Sequence, residues 1–246
     1  GQMVRITDLT ETRRLQEQIS HMPRLSALGL MTASLGHDIG TPLSAAMLYG
    51  ANLANRTLTP ESRFQFQQKL MARLKELERQ VSDVLLFARN GEQQKVEAIE
   101  LSSVLNQLQQ RADALRNDHE IRFTINLPER PIILLANHEA LTSALMNLFE
   151  NAVQAGADQL CLTAEPEAEQ VILRFVDNGK GIAADQLSQI FEPFFTTRSS
   201  ETGLGLAVVQ SVVQAHQGNI QVSSLVGEGT CFSIRLPYHH VQLQQV

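Results

Sequence analysis

His37 lies in the run Leu35-Gly36-His37-Asp38-Ile39-Gly40-Thr41-Pro42-Leu43. Imidazole titrates near pH ~6.5, so at neutral pH it offers a nitrogen lone pair for in-line attack on a phosphoryl group. Thr41 stands four residues on, one helical turn away, which places its hydroxyl beside the ring. Asp38 is the next residue, and helix geometry does not turn neighbouring side chains toward each other. Downstream come Asn147-Leu-Phe-Glu-Asn151, Asp177-Asn-Gly179-Lys-Gly181 and Gly203-Leu204-Gly205-Leu206. Asn147 and Asn151 share a helix face, and amide oxygens are hard ligands that suit Mg²⁺ bound with water and phosphate. Asp177 follows an apolar strand, and Gly179 and Gly181 let a flat polar base such as adenine approach the backbone closely. Gly203 to Leu206 opens a helix, where free amides favour phosphate. Each feature has an ordinary reading by itself: Asp-Asn-Gly is a common turn, and paired asparagines are commonly just exposed polar residues. Together, one nucleophile and one nucleotide pocket imply a chain that phosphorylates itself.

The elements that must position these groups fall into two textures. Residues 25–53 carry an apolar stripe through Leu25, Leu28, Thr32, Leu35, Ile39, Pro42, Ala46, Tyr49 and Leu53, spaced mostly in alternating steps of four and three. That is the seam of a helical bundle. His37 lies off this stripe, so its ring is expected to face solvent. Asn55 to Pro60 breaks the pattern, and Thr59-Pro60-Glu61 is a good helix start. A second stripe runs Leu70, Leu74, Leu77, Val81, Val84, Ala88 and ends at Asn90-Gly91, a helix C-cap signal. Two such helices make a hairpin. Leu43, Met47, Phe66, Leu85 and Phe87 lie off the stripes, so pairing two hairpins into a dimeric four-helix bundle is the expected way to bury them. Pro42 removes a backbone donor inside the first helix, and Gly40 loosens it by roughly 1 kcal/mol relative to Ala.

Beyond Gly91 helices and strands alternate. Helices are expected over 101–117, 138–157 and 202–216, and strands over 121–125, 159–163 and 171–176. A final hairpin over 219–236 turns about Gly227-Glu-Gly229. This order implies an α/β two-layer sandwich. The expected organisation is 1–23 as the end of a sensor segment and linker helix, 24–92 as the helical hairpin, and 93–246 as the sandwich.

Composition limits the partners. The 246 residues carry 43% hydrophobic and 19% charged residues, enough for real cores, and a net charge of −6. That charge argues against nonspecific nucleic-acid binding, which needs an excess of Lys and Arg. No apolar run approaches the roughly 18 residues of a membrane span, and no signal peptide opens the chain, so this stretch is expected to be cytoplasmic. Cys161 and Cys231 are expected as buried free thiols.

Taken in order, Asn147…Asn151, Asp177-x-Gly179-x-Gly181, Phe191-Glu-Pro-Phe194-Phe195 and Gly203-Leu-Gly205-Leu resemble the N, G1, F and G2 boxes of sensor histidine kinases. His37-Asp38-x-x-Thr41-Pro42 resembles their H box. The ATP-binding fold, shared with gyrase, Hsp90 and MutL, is the GHKL or Bergerat fold. The resemblance spans about residues 24–236 and implies a dimerisation and histidine-phosphotransfer (DHp) hairpin followed by that ATPase. It implies that Asp177 holds the adenine amino group and that Thr230 lies near adenine. Asn151 is implied to coordinate Mg²⁺, with Asn147 and residues 203–206 facing the phosphates of ATP. Asp38 is implied to orient His37 and accept its other proton. Thr41 is implied to position a water that dephosphorylates the partner, the receiver domain of a response regulator.

Ser44-Ala-Ala-Met-Leu-Tyr49 and Leu85-Leu-Phe-Ala-Arg89 look most like kinases of flagellar or nitrogen-type regulators, and Ile6-Thr-Asp8-Leu-Thr10-Glu resembles the exit of a PAS sensor domain. Against the family pattern, Glu201 replaces a glycine and Gln154 a phosphate-binding lysine. Gly40 stands where Arg, Lys or Asn is frequent, and the lid between Thr196 and Thr202 is short. Two rival classes remain: a GHKL ATPase driving conformational change, against which the His37 helix and the absence of a transducer domain argue, and a weak-kinase scaffold or phosphatase, which the departures at Glu201, Gln154 and Gly40 keep open.

Overall fold

The computed structural model describes residues 32–55, 57–88, 96–116, 121–198 and 202–238. They divide into two compact units, separated between Asn90 and Gly91. The expected sensor segment over 1–23, the Asn90-Gly91 cap, Glu201 and the exact domain boundary all lie outside the described residues.

The first unit is a helical hairpin of α1 (Thr32–Leu53) and α2 (Pro60–Ala88), packed along one another. The turn is built as the sequence suggests. Thr59 Oγ1 accepts the amide of Ser62 at 3.2 Å, capping α2, while Arg63 Nη1 donates to the Leu53 carbonyl at 3.1 Å and Nη2 to that of Asn55 at 3.3 Å. One arginine thereby closes the orphan carbonyls at the end of α1. On α1 the expected stripe is the sheltered side: Pro42 and Ala46 are buried, and Ile39, Tyr49 and Leu53 half-buried. Tyr49 meets Phe66 of α2 with ring centroids 6.2 Å apart.

The α2 stripe is sheltered only in part: Leu70, Leu77, Val84 and Ala88 are half-buried. Leu74 and Val81 remain 44% and 43% exposed, whereas Gln80, Asp83 and Phe87 are buried. A two-helix hairpin can shelter only a narrow strip of each helix, and on α2 that strip is rotated toward Gln80 and Asp83. The Arg79 guanidinium stands 3.6 Å from the Asp83 carboxylate, one turn away.

The second unit is the expected two-layer α/β sandwich. Its elements are β1 (Glu97–Glu100), α3 (Leu101–Arg116), β2 (Arg122–Asn126), β3 (Ile133–Ala136), α4 (His138–Gln154), β4 (Gln159–Glu167), β5 (Gln170–Asp177), α5 (Gly205–Ala215), β6 (Asn219–Leu225) and β7 (Gly229–Pro237). The main sheet has the order β2-β4-β5-β7-β6, antiparallel except for β2 against β4. The short β1 and β3, which carry no clear strand signal, pair antiparallel in a separate two-stranded sheet.

The helix periodicity explains the packing. Leu101, Val104, Leu105, Leu108 and Ala112 recur on one face of α3 and are all buried, as are Leu141, Ala144, Leu145, Leu148 and Ala152 on α4. Helix α4 packs between α3 and α5. Phe149 of α4 meets Phe123 of β2 at 5.2 Å between centroids, and Phe123 meets Phe175 of β5 at 6.0 Å. This aromatic trio fixes α4 against the sheet. Cys161 and Cys231 are free, as expected, but half-buried rather than buried. Both stand opposite Val176, on β4 and β7, with β5 between them.

Candidate nucleotide site and phosphoacceptor helix

Asp177 ends β5 and is buried. Its Oδ1 accepts the Gly179 amide at 2.8 Å. Burial pushes the carboxyl up from its ordinary value, and the backbone amides of Gly179 and Thr230 partly oppose that push. The turn after it is held tightly. Lys180 donates its amide to the Ala155 carbonyl at 3.0 Å, and Gly227 donates to the Lys180 carbonyl at 2.9 Å. Gly181 adopts φ +70°, and a Cβ there would collide with the Leu225 carbonyl. Asn178, which suggested only a turn residue, ties two strand ends together, because its Oδ1 accepts the amides of Asp158 and Gln159 at 3.1 and 3.0 Å.

Gly203 likewise sits at φ +66°, its would-be Cβ about to strike the Phe194 backbone 2.5 Å away. The Phe194 amide donates to the Gly203 carbonyl at 3.0 Å, which pins the segment before α5 to the F-box stretch. Phe191 stacks edge-on against Phe232 of β7 at 6.4 Å. Leu204, fully buried, is the N-cap of α5, and no side chain caps that helix. Thr202, buried, accepts the Leu204 amide at 3.4 Å, and Leu206 is half-buried.

The same helix start meets α4. Asn147 Nδ2 donates to the Gly205 carbonyl at 3.4 Å. A Cβ on Gly205 would lie 4.0 Å from Asn147 Cγ and 4.0 Å from Asn151 Nδ2, so both amides border the uncapped helix start. Asn151 Nδ2 is buried and has no hydrogen-bond partner. An orphan polar atom in a native structure points to a missing ligand or to a side chain free to turn. Because nothing holds this amide, rotation about its broad terminal torsion can present the oxygen instead. That donor set, hard amide oxygen beside backbone amides, fits Mg²⁺ carried on phosphate. Among the described residues no three His, Cys, Asp or Glu side chains form an alternative metal cluster.

Two contributors had weak or no signals in sequence. Arg198 Nη1 donates to Gln154 Oε1 at 2.9 Å, so the glutamine in the usual lysine position is tied to a guanidinium from the lid segment. His216, buried after α5, accepts the Asn137 amide on Nε2 at 2.8 Å. Its Nδ1 lies 2.7 Å from the Val212 carbonyl. An amide donor on one nitrogen and a carbonyl on the other require the neutral ring with its proton on Nδ1. Burial accordingly lowers its pKa. Asn137 also caps α4 by accepting the Ala140 amide at 2.8 Å, so His216 steadies the helix that carries Asn147 and Asn151.

In the hairpin, His37, Asp38 and Thr41 all lie on α1, with Thr41 exposed one turn after His37. The side chains of His37 and Asp38 lie outside the described residues, and with them the expected outward facing of the ring.

The helical hairpin and the two-layer sandwich each match a family model. Residues 136–240 match the model for the histidine kinase-, DNA gyrase B- and HSP90-like ATPase, and residues 27–93 that for the His kinase A phospho-acceptor domain. The sensor protein kinase FleS of Pseudomonas aeruginosa is 42% identical over 239 residues, covering 96% of this chain and 59% of FleS. The sensor histidine kinase ZraS of Escherichia coli K12 is 36% identical over 235 residues, covering 93% and 50%. The chain thus spans about half the length of these relatives.

Among solved structures, the kinase ThkA in complex with the response regulator TrrA superposes with a TM-score of 0.72 at 23% identity, over 95% of this chain and 69% of ThkA. Full-length ShkA in complex with AMPPNP gives 0.63 at 28% identity, over 84% and 45%. The first likeness shows the shared fold. The chain belongs to the sensor histidine kinases of two-component systems.

Proposed function

We propose that this chain is the phosphotransfer and catalytic core of a sensor histidine kinase that moves the γ-phosphoryl group of ATP to His37 and then to an aspartate of a response-regulator receiver domain. The observation that carries the reading is the convergence, within one unit, of buried Asp177, the unpartnered Asn151 amide and the uncapped start of α5. This unit follows the helix that bears His37. Residues 24–92 would be the dimerisation and phosphotransfer domain and 93–246 the ATP-binding domain.

In this reading Asp177 and Thr230 face adenine, and Gly179 and Gly181 keep the backbone clear of the base. Gly203, Leu204, Gly205 and Leu206 turn amides toward the phosphates beside Asn147. Asn151 would hold Mg²⁺, which when bound neutralises charge on the phosphates. An imidazole nitrogen of His37 attacks the γ-phosphorus, the bond to the bridging oxygen breaks, and ADP leaves with that electron pair. Asp38 orients the ring and takes its other proton. In a separate hydrolytic reaction Thr41 would position a water that attacks the aspartyl phosphate of the regulator, breaking its acyl-phosphate P–O bond and releasing inorganic phosphate and the free carboxylate. The ThkA–TrrA complex supports a receiver domain as the partner.

The phospho-acceptor model also implies dimerisation. Leu43, Met47, Leu48, Met71, Leu74 and Leu85 are exposed on the hairpin and supply apolar surface for a second copy. The net charge of −6 still speaks against nucleic acid as a partner. Among the described residues no helix is long and apolar enough to cross a membrane. Because its substrate is ATP and its partner a soluble receiver domain, this portion would work in the cytoplasm.

The test is a relay. Protein labelled from γ-labelled ATP and Mg²⁺ is passed to a purified receiver domain, and the label should leave the kinase and appear as an acid-stable, base-labile acyl phosphate. ATP turnover without any label would favour a conformational ATPase. Neither label nor turnover, with accelerated loss of phosphate from a phosphorylated receiver, would favour the scaffold or phosphatase.

A further inference from the structure

Asp177, Thr230 and Ser224 form one row across three strands. Asp177 pairs with Thr230 between β5 and β7, and Thr230 pairs with Ser224 between β7 and β6. Directly paired residues point to the same face of a sheet. Ser224 Oγ has three polar neighbours: the Ile182 amide at 2.8 Å, the Gly229 carbonyl at 2.8 Å and Thr230 Oγ1 at 3.0 Å.

A hydroxyl has one proton and two lone pairs. The Gly229 carbonyl can only accept, so it takes the Ser224 proton. The Ile182 amide can only donate, so it occupies one Ser224 lone pair. What remains is a single lone pair, and the neighbour with a proton to give is Thr230. Thr230 therefore turns its proton away from Asp177 and toward Ser224, and its free positions are lone pairs alone. Beside it the Asp177 carboxylate also only accepts when ionised, with one oxygen already receiving the Gly179 amide. These two side chains therefore present acceptors alone.

We propose that Ser224 is a positioning residue that locks the Thr230 hydroxyl as an acceptor and so makes the base edge selective for a 6-amino purine nucleotide over its 6-oxo counterpart. This rests on the reading of Asp177 as the adenine site. A 6-amino group donates to such an edge, whereas a 6-oxo group sets oxygen against oxygen and leaves polar groups unpaired. Without the Ser224 hydroxyl, Thr230 regains a free proton that can turn to a 6-oxo group. Ser224 also braces the Ile182 amide, so its loss should weaken every nucleotide to some degree. Selectivity separates the two effects, because bracing does not distinguish the bases.

The experiment measures dissociation constants for Mg-ATP and Mg-ITP on the full chain by calorimetry or competition. The wild type should prefer ATP. Ser224→Ala should narrow that preference by roughly 3- to 10-fold, the worth of one hydrogen bond. Ser224→Thr, which keeps a hydroxyl, should restore the wild-type ratio. Thr230→Val, which removes the acceptor itself, should also narrow it, and an unchanged ratio in this variant would overturn the inference even if Ser224→Ala folds poorly. Equal weakening of both nucleotides in Ser224→Ala and Thr230→Val, or no wild-type preference for ATP, would overturn the inference. Asp177→Ala is the control for the underlying site: undiminished ATP affinity there would sink the adenine reading itself, whereas lost affinity with unchanged ratios would sink only the role of Ser224.

Discussion

The two units solve the problem of burying apolar surface in opposite ways. The sandwich closes on itself: Phe149, Phe175, Val104, Leu108 and Leu162 are almost wholly shut from solvent, and its helices cover a sheet of five strands. The hairpin does not close. Met47 is 69% exposed and Leu48 61%, while its buried set includes Gln80 and Asp83. A unit with a finished core can hold a rigid pocket, and one that leaves Met47 and Leu48 open among the described residues has apolar surface to offer a partner. The proposed nucleotide site lies in the first kind and the proposed phosphoacceptor, His37, in the second, which would suit a rigid donor and a responsive acceptor.

The contrast breaks most readily at the aromatic trio. Phe149→Ala should cost the sandwich about 3–5 kcal/mol, as truncation of a buried aromatic does. Chemical denaturation followed by nucleotide binding would show the loss, and the hairpin's self-association should survive it. Next is the open face of the hairpin. Leu74→Asp places a charge in the proposed interface, and sedimentation should show at least a tenfold weaker dimer, at roughly 1.4 kcal/mol per factor of ten. ATP affinity should stay at the wild-type level, and a dimer that persists unchanged would mean the exposed row is not the contact.

His216 sharpens the contrast through pH. Its folded pKa lies below the unfolded one, so the unfolded chain binds the proton more readily. The stabilising neutral ring is fully counted above the unfolded value, about pH 6.5, and stability falls as pH drops below it toward the folded pKa. Denaturation of the sandwich between neutral and mildly acidic pH should show this loss, and His216→Gln should flatten it. The smallest effect is at Gly40. A Cβ there would meet nothing within 4 Å, so Gly40→Ala should stabilise α1 by about 1 kcal/mol. A rise in the hairpin's melting temperature would register it, with the pocket untouched.

What was legible in the sequence follows from local chemistry. The helices expected over 101–117, 138–157 and 202–216 correspond to α3, α4 and α5, and the strands expected over 121–125, 159–163, 171–176 and the 219–236 hairpin to β2, β4, β5, β6 and β7, because each signal is written within a few consecutive residues. Glycine-bearing turns exposed Gly181 and Gly203, where backbone collisions exclude a side chain. The strands β1 and β3 were missed because four residues are too few to show a period, and their pairing is a matter of tertiary position. The inward set of Gln80 and Asp83 escaped for a related reason: an apolar stripe says which residues avoid water, not which neighbour shelters them. His216 and Ser224 left no signal at all, since their partners Asn137 and Thr230 declare themselves only through the fold.

In the proposed reaction the sandwich supplies a phosphoryl group and the hairpin receives it on His37. The direct measurement is incorporation of label from γ-labelled ATP and Mg²⁺ into wild type and His37→Gln, with ATP affinity measured on both. The expected result is acid-labile, base-stable label on the wild type, none on His37→Gln, and the same ATP affinity in each. Label that persists in His37→Gln, or a wild type that binds ATP and never becomes labelled, would contradict it.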